Sequence, residues 1–297
     1  MQASQLLTGA EFVLLAALWG ASFLFMRLAV PEFGPVPMMA LRVAIAALCL
    51  LPLLMLRKGF GELRTRFGSL MAVGTINSAI PFWLFAFATL YLNAGFTSIL
   101  NATTPFWAAI ISWLWLREKI GAVRVLGLAI GFAGVLMLVW DKATFKGDGP
   151  TWGILAALAA TLLYGMGANF TRSKLAGIDS LTISTGAMIG ATLVLAPFAL
   201  LYWPAQPPSA RAWLCVLVLG SFGTGFAYIL YYRLIRKLGA SGGVTVTFLI
   251  PAFGMLWGAL FLDEAVTQNM IVGTALILAG TALTTGLIQL RRRIHTS

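Results

Sequence analysis

The chain has 297 residues, of which 60% are hydrophobic and only 10% charged, and its mean hydropathy is +0.93. A soluble domain carries about a quarter charged residues, so these apolar side chains have no aqueous surface to cover, and lipid must replace water as the solvent. The net charge of +11 does not describe a nucleic-acid binder, because the positive side chains are scattered over short connections rather than gathered on one face.

A membrane-spanning helix needs about 20 apolar residues. That rule predicts ten, over residues 7–30, 35–56, 67–90, 94–116, 120–140, 151–173, 179–203, 210–235, 239–262 and 267–290. The first run follows neither a basic segment nor a small-residue cleavage site, and reads as a retained helix rather than a signal peptide. Cys49 and Cys215 lie inside apolar runs, which implies membrane-buried free thiols, not a disulfide framework or a metal knuckle. The longest internal polar break, Asp141 to Pro150, divides the chain into a first five-helix unit (1–140), an extracytoplasmic connection (141–150), a second five-helix unit (151–290) and a basic tail (291–297).

The basic residues orient this all-α membrane protein. With the N-terminus in the cytoplasm, fifteen lysines and arginines fall on cytoplasmic connections and the tail, among them Arg57, Arg64, Arg117, Arg172 and Arg236. Only Lys142, Lys146 and Arg211 fall on the opposite side. An even number of crossings with both termini cytoplasmic follows.

The chain contains one stretch twice. Leu92 to Gly134 and Leu238 to Gly280 align at an offset of 146, with identities that include Pro105/Pro251, Glu118/Glu264, Gly127/Gly273 and Gly134/Gly280. At an offset of 145, Trp19-Gly20 and Arg27 align with Tyr164-Gly165 and Arg172, and Pro52 aligns with Pro197. Five helices per unit is odd, so the second unit enters the membrane from the other side and the repeat is inverted. Two inverted halves can open a shared site to either side in turn, which is a transporter's device.

Catalytic sets are not assembled by this sequence. The one histidine, His295, lies in the tail, and no two-histidine metal helix, acid-rich cluster or phosphate loop occurs. The chain reads as no enzyme, with no cofactor and no metal. Carboxylates are also missing from membrane depth: Glu11, Glu118, Asp263 and Glu264 sit at or near helix ends. Proton-driven pumps often carry a central one, so a facilitator is the simpler reading.

Mid-helix polar and aromatic residues select helices 1, 3, 4, 6, 8 and 9 as the interior, a set closed under the repeat. The candidate cavity residues are Trp19, Phe23, Asn77, Phe82, Asn101, Trp107, Tyr164, Asn169, Tyr228, Tyr232, Thr245 and Trp257. Each has a plainer alternative: an asparagine or threonine can bond helix to helix, and an aromatic ring can face lipid. Pro105 and Pro251 kink their helices at equivalent places and are candidate hinges. Aromatic faces, amides and hydroxyls with few fixed charges suit a neutral or zwitterionic amphipathic solute. A phosphate ester would want converging cations. Arg42, about seven residues into helix 2, is the exception. It and Arg27 either snorkel or pair with Glu32, or one of them contacts a solute carboxylate. The glycines at 127, 131, 134, 273 and 280 form small-residue stripes for close helix packing.

These pieces resemble the drug/metabolite transporter superfamily in its ten-helix EamA-type branch. The resemblance rests on Trp19-Gly20, Pro35 with Arg42 seven residues on, the proline-containing helix ending Leu116-Arg117-Glu118, the glycine-spaced fifth helix, and the second copy ending Leu262-Asp263-Glu264. Within that branch the chain looks most like bacterial inner-membrane exporters of amino acids, particularly aromatic ones. The resemblance implies export from the cytoplasm by alternating access through a central cavity. The alternative is export of other small metabolites or lipophilic drugs, with or without protons. Its partners would be a small-molecule substrate and the lipid bilayer, with no nucleic acid; the oligomeric state stays open, a monomer included. Two departures bear on mechanism. Ala187 stands where the second half would match Arg42, and Trp19 stands where four-helix multidrug relatives carry a membrane glutamate.

Overall fold

The computed structural model describes residues 2–57, 59–140 and 149–287, with backbone alone at 2–5 and 239–244. The predicted connection, up to residue 148, and the basic tail lie outside these residues. Among the described residues the structure is helical, with no strand. We label α1 (Gln2–Phe33), α2 (Pro35–Leu56), α3 (Phe67–Tyr91), α4 (Ala94–Leu116) and α5 (Ala122–Val139). The series continues with α6 (Gly149–Lys174), α7 (Ser180–Leu201), α8 (Ala210–Leu238), α9 (Ile250–Leu262) and α10 (Gln268–Thr284).

Eight of these are long and apolar enough to cross a membrane, where the sequence predicts ten. The two that fall short are α9, with 13 residues, and α10, with 17. Pro251 brings no N–H to the first turn of α9, and a 3-10 turn, Thr245–Phe248, precedes it. The helix before that turn runs on to Val244, so the turn follows it directly. Leu234, Val246 and Leu15 belong to one buried cluster. The last three residues predicted for the tenth helix, 288–290, are not among those described.

Local chemistry explains most boundaries. Asn93 caps α4 by accepting from the Phe96 amide at 2.9 Å, and Thr267 caps α10 through Met270 at 3.2 Å. Gly34, at φ 76°, makes the single-residue reversal between α1 and α2, a backbone setting that disfavours a side chain. Two π turns interrupt long helices, Thr75–Ala79 in α3 and Ser221–Phe226 in α8. They occupy equivalent places at the offset of 146, and each carries polar residues within the turn itself, Thr75, Asn77 and Ser78 in one and Ser221 and Thr224 in the other.

The two halves pack through matching contacts. α1 lies on α9 and α6 lies on α4, α2 pairs with α7, and α5 pairs with α10. Glycines set the closest approaches. A Cβ at Gly20 would stand 3.0 Å from the Gly254 nitrogen, and one at Gly165 would stand 2.7 Å from the Ala108 nitrogen. The stripes on α5 and α10 face each other, with a Cβ at Gly127 only 2.7 Å from the Gly280 oxygen. Van der Waals contact between bare backbones holds this pair where no hydrophobic effect can.

Glu11 joins α1 to α8. Its buried carboxylate takes Arg233 at 2.6 Å and Lys237 at 2.8 Å. Both cations are part-exposed, which discounts the pairing. Glu11→Gln is expected to cost about 1–2 kcal/mol, read as a lower unfolding midpoint in detergent. Arg233→Ala alone should cost less, because Lys237 keeps the carboxylate paired.

Candidate functional site

A cavity of about 590 Å³ runs between the two halves. Its walls come mainly from α1, α3, α4, α6 and α8, with single residues from α2, α5, α9, the turn before α9 and the α4–α5 connection, and Thr284 and Thr285 at the end of α10. Eight of the twelve candidate residues line it: Trp19, Phe23, Asn77, Phe82, Asn101, Tyr164, Asn169 and Tyr228. Arg42 and Pro105 line it too.

Four candidates do not reach it. Trp257 donates from Nε1 to the Ala17 carbonyl at 3.0 Å and stacks between Phe253 and Phe261, so it fastens α9 to α1. Trp107 meets Phe132 in a T-shaped contact, and its Nε1 is buried without a partner among the described residues. Tyr232 stacks on Tyr228 at 6.0 Å and hydrogen-bonds the Ser184 hydroxyl of α7. Thr245 lies in the 3-10 turn, outside the lining, while Thr247 of the same turn is inside it. The hinge candidate Pro251 is buried at the start of α9 and off the cavity wall. In each case helical spacing identified an aromatic or polar residue, but its direction depended on a neighbouring helix.

The lining asparagines divide by what they already bond. The Asn169 amide donates to the carbonyls of Ala108 and Gly165, both at 2.9 Å, which ties α6 to α4. Asn77 and Asn101 have no side-chain hydrogen bond among the described residues, so their amides are open to the cavity. Asn77 sits in a notch made by Gly167, whose added Cβ would stand 2.7 Å from Asn77 Oδ1.

Arg42 is the one buried cation of the cavity wall, 6% exposed. Its Nε donates to Thr224 Oγ1 at 2.9 Å, and Thr224 in turn donates to the Leu219 carbonyl. The guanidinium carbon lies 3.8 Å from the centre of the Phe82 ring. No carboxylate pairs with it among the described residues. A desolvated cation without a counter-charge is costly, and it is tolerated where it faces a water-filled cavity or a ligand. Arg27, in contrast, is committed: it donates to the carbonyls of Thr89 and Leu90 at 2.5 and 3.0 Å, capping the end of α3. Glu32, its expected alternative partner, instead accepts from Ser209 at the start of α8.

One end of the cavity is lined by Glu118, Arg124 and Arg172. Glu118 pairs with Arg172 and accepts from the Ser112 hydroxyl at 2.7 Å. The Ser112 hydroxyl first and Arg172 next hold the Glu118 carboxyl below the usual carboxylate range. It is the sole carboxylate of the lining among the described residues. Ser112 and the mouth charges Glu118, Arg124 and Arg172 line the cavity without standing among the sequence candidates. The signal was available for Arg172 through its alignment with Arg27, but alignment does not say which charges meet.

The model of the EamA-like transporter family matches residues 7–140 and 151–286. Among curated relatives, an uncharacterized transporter of Bacillus subtilis, YoaV, is 23% identical over 271 residues, covering 90% of this chain and 93% of its own. An uncharacterized transporter of Archaeoglobus fulgidus is 25% identical, covering 88% of this chain and 92% of its own. The protein PagO of Salmonella typhimurium is 25% identical, covering 81% and 80%. A crystal structure at 20% identity shares the fold, with a TM-score of 0.66 over 94% of this chain and 96% of that one. The chain is therefore a multi-pass membrane transporter, and it belongs to the EamA-like transporter family within the drug/metabolite transporter superfamily.

Proposed function

We propose that the protein exports amino acids, aromatic ones included, from the cytoplasm of a bacterial cell across its inner membrane. In this reading ten segments cross the bilayer as two inverted units, 1–140 and 151–290, with both termini cytoplasmic. Segments α9 and α10 make short crossings, completed by neighbouring residues on either side. The units rock about the shared cavity to expose it alternately, driven by the solute gradient alone.

The observation that carries the substrate class is Arg42. Its guanidinium lies in the cavity wall, donates to the Thr224 hydroxyl and the Met39 sulfur, and has no acidic partner among the described residues. An amino acid supplies the missing carboxylate. A planar guanidinium suits that group, since it presents two parallel donors. The open amides of Asn77 and Asn101 offer carbonyl oxygens for the ammonium. The aromatic faces of Trp19, Phe82, Tyr164 and Tyr228 receive an apolar or aromatic side chain and attract the ammonium as well.

The test is uptake of radiolabelled Phe, Trp, Met, Thr and Ala into liposomes carrying the purified protein, with and without a proton gradient. Saturable, gradient-independent uptake that favours Phe and Trp is the expected result. Dependence on the gradient would overturn the facilitative mechanism. Absence of uptake for all five, from monodisperse protein, would overturn the amino-acid reading in favour of another metabolite or a lipophilic drug.

A further inference from the structure

Two acid-bearing turns, one per half, have the same backbone and different partners. Arg117 and Asp263 are the non-glycine residues with positive φ among those described, at 53° and 54°. Each is followed by a glutamate whose amide donates six residues back, Glu118 to the Ser112 carbonyl at 3.4 Å and Glu264 to the Gly258 carbonyl at 3.1 Å. From there the side chains diverge. Glu264 accepts from the amides of Ala94 and Gly95, at 2.9 and 3.3 Å, and so caps the N-terminus of α4. Glu118 leaves helix ends alone and takes Ser112 and Arg172.

The aligned arginines diverge in the same way. Arg27 is bound to the last carbonyls of α3, while its counterpart Arg172 is bound to Glu118. At one end of the molecule, then, both charges hold the termini of neighbouring helices, where amides favour an anion and carbonyls a cation. At the other end the same two charges hold each other, and there they line the cavity.

We infer that these four residues form an exchangeable clamp that sets which end of the cavity is open. The inference rests on the alternating-access reading above. Closure at the Glu118 end parts the Glu118–Arg172 pair. Glu118 then takes the amides that match those of Ala94 and Gly95, which at the offset of 146 belong to Ala240 and Ser241; these lie inside the helix Ala227–Val244 here, so in that state the helix ends before them. Arg172 takes the last carbonyls of α8, as Arg27 takes those of α3. At the far end Glu264 and Arg27 release their helix ends and pair with each other. Each state trades two charge-assisted contacts with backbone for one ion pair, so neither state is far below the other.

One substitution between the repeats biases the balance. Ser112 aligns with Gly258. The Ser112 hydroxyl adds a hydrogen bond to Glu118 in the open arrangement. Gly258 has none to offer, and the Glu264 carboxylate lies so close over its bare backbone that an added Cβ would collide with it.

The test is the labelling rate of an Ala109→Cys reporter in the cavity wall, with Cys49→Ser and Cys215→Ala as background. A membrane-impermeant maleimide is applied from the Glu118 side in oriented vesicles. Ser112→Ala and Arg172→Gln weaken the open arrangement and are expected to slow labelling by about fivefold to twentyfold. Gly258→Ala, far from the reporter, disturbs the Glu264 cap and should slow it too. The exchange Glu118→Arg with Arg172→Glu keeps the pair but cannot cap amides, so it should label at least as fast as the parent. Rates within twofold of the parent for Ser112→Ala, Arg172→Gln and Gly258→Ala would overturn the clamp, and so would an exchange variant slowed like the single ones. Should a mouth variant fail to fold, Gly258→Ala and the exchange variant still decide the matter. No substrate enters the assay, so its failure is separable from failure of the amino-acid reading.

Discussion

Arg42→Gln should abolish saturable phenylalanine uptake while leaving the folded protein at least as stable as before. The guanidinium is buried and has no counter-charge among the described residues, so removing its charge relieves desolvation and should hold or raise the unfolding midpoint. A charge-assisted, two-pronged bond to a carboxylate contributes about 2–3 kcal/mol. Its loss corresponds to a decrease of about 30- to 150-fold in apparent affinity. Arg42→Lys keeps the charge but loses the fork and the geometry at Thr224, and should retain about a tenth of the affinity. Phenylalaninamide, which lacks the carboxylate, should be carried as poorly by the parent as phenylalanine is by Arg42→Gln. Full uptake by Arg42→Gln at normal membrane abundance would remove Arg42 from the substrate site.

Gly280→Leu is expected to be the most disruptive single change in the α5–α10 contact. A Cβ at this position would stand 2.5 Å from both the Gly127 oxygen and the Gly131 nitrogen, and 2.7 Å from the Gly131 Cα. These are backbone atoms of α5, so no rotamer change clears them and the two helices must separate. Over-packing of this kind costs about 1–3 kcal/mol for a modest insertion, and a whole leucine at a backbone contact should reach or exceed the upper end. The readout is the unfolding midpoint in detergent, with Gly121→Ala as a control because nothing lies within 4 Å of its added Cβ. A midpoint unchanged by Gly280→Leu would show that α5 and α10 do not depend on this contact.

Much of the architecture was readable in one dimension because lipid imposes simple rules on a chain. Apolar runs of the right length had to be helices, since no other unpaired backbone survives in hydrocarbon. The spacing of glycines along α5 and α10 announced a close contact, and the structure places those glycines face to face. Mid-helix polar residues selected the cavity helices, and Arg42 stood out as a charge at depth. The tenfold count was less secure, because α9 and α10 have 13 and 17 residues and depend on neighbouring helices to hold them.

What the sequence determined by itself is composition and periodicity: a duplicated, all-helical membrane chain with a polar seam. Only the tertiary structure decided direction and partnership. Trp257 and Trp19 are both aromatic residues on interior helices, yet one bonds the Ala17 carbonyl and the other lines the cavity. The π turns in α3 and α8 arise from freed backbone bonds that neighbouring helices must accommodate. Arg27 and Arg172 occupy aligned positions and still end on different partners. The physical reason is that a duplicated sequence with one fold has two non-equivalent ends whenever its cavity opens to one side. The repeat grammar is shared by both copies, and the difference lies in which helix ends are near enough to be capped.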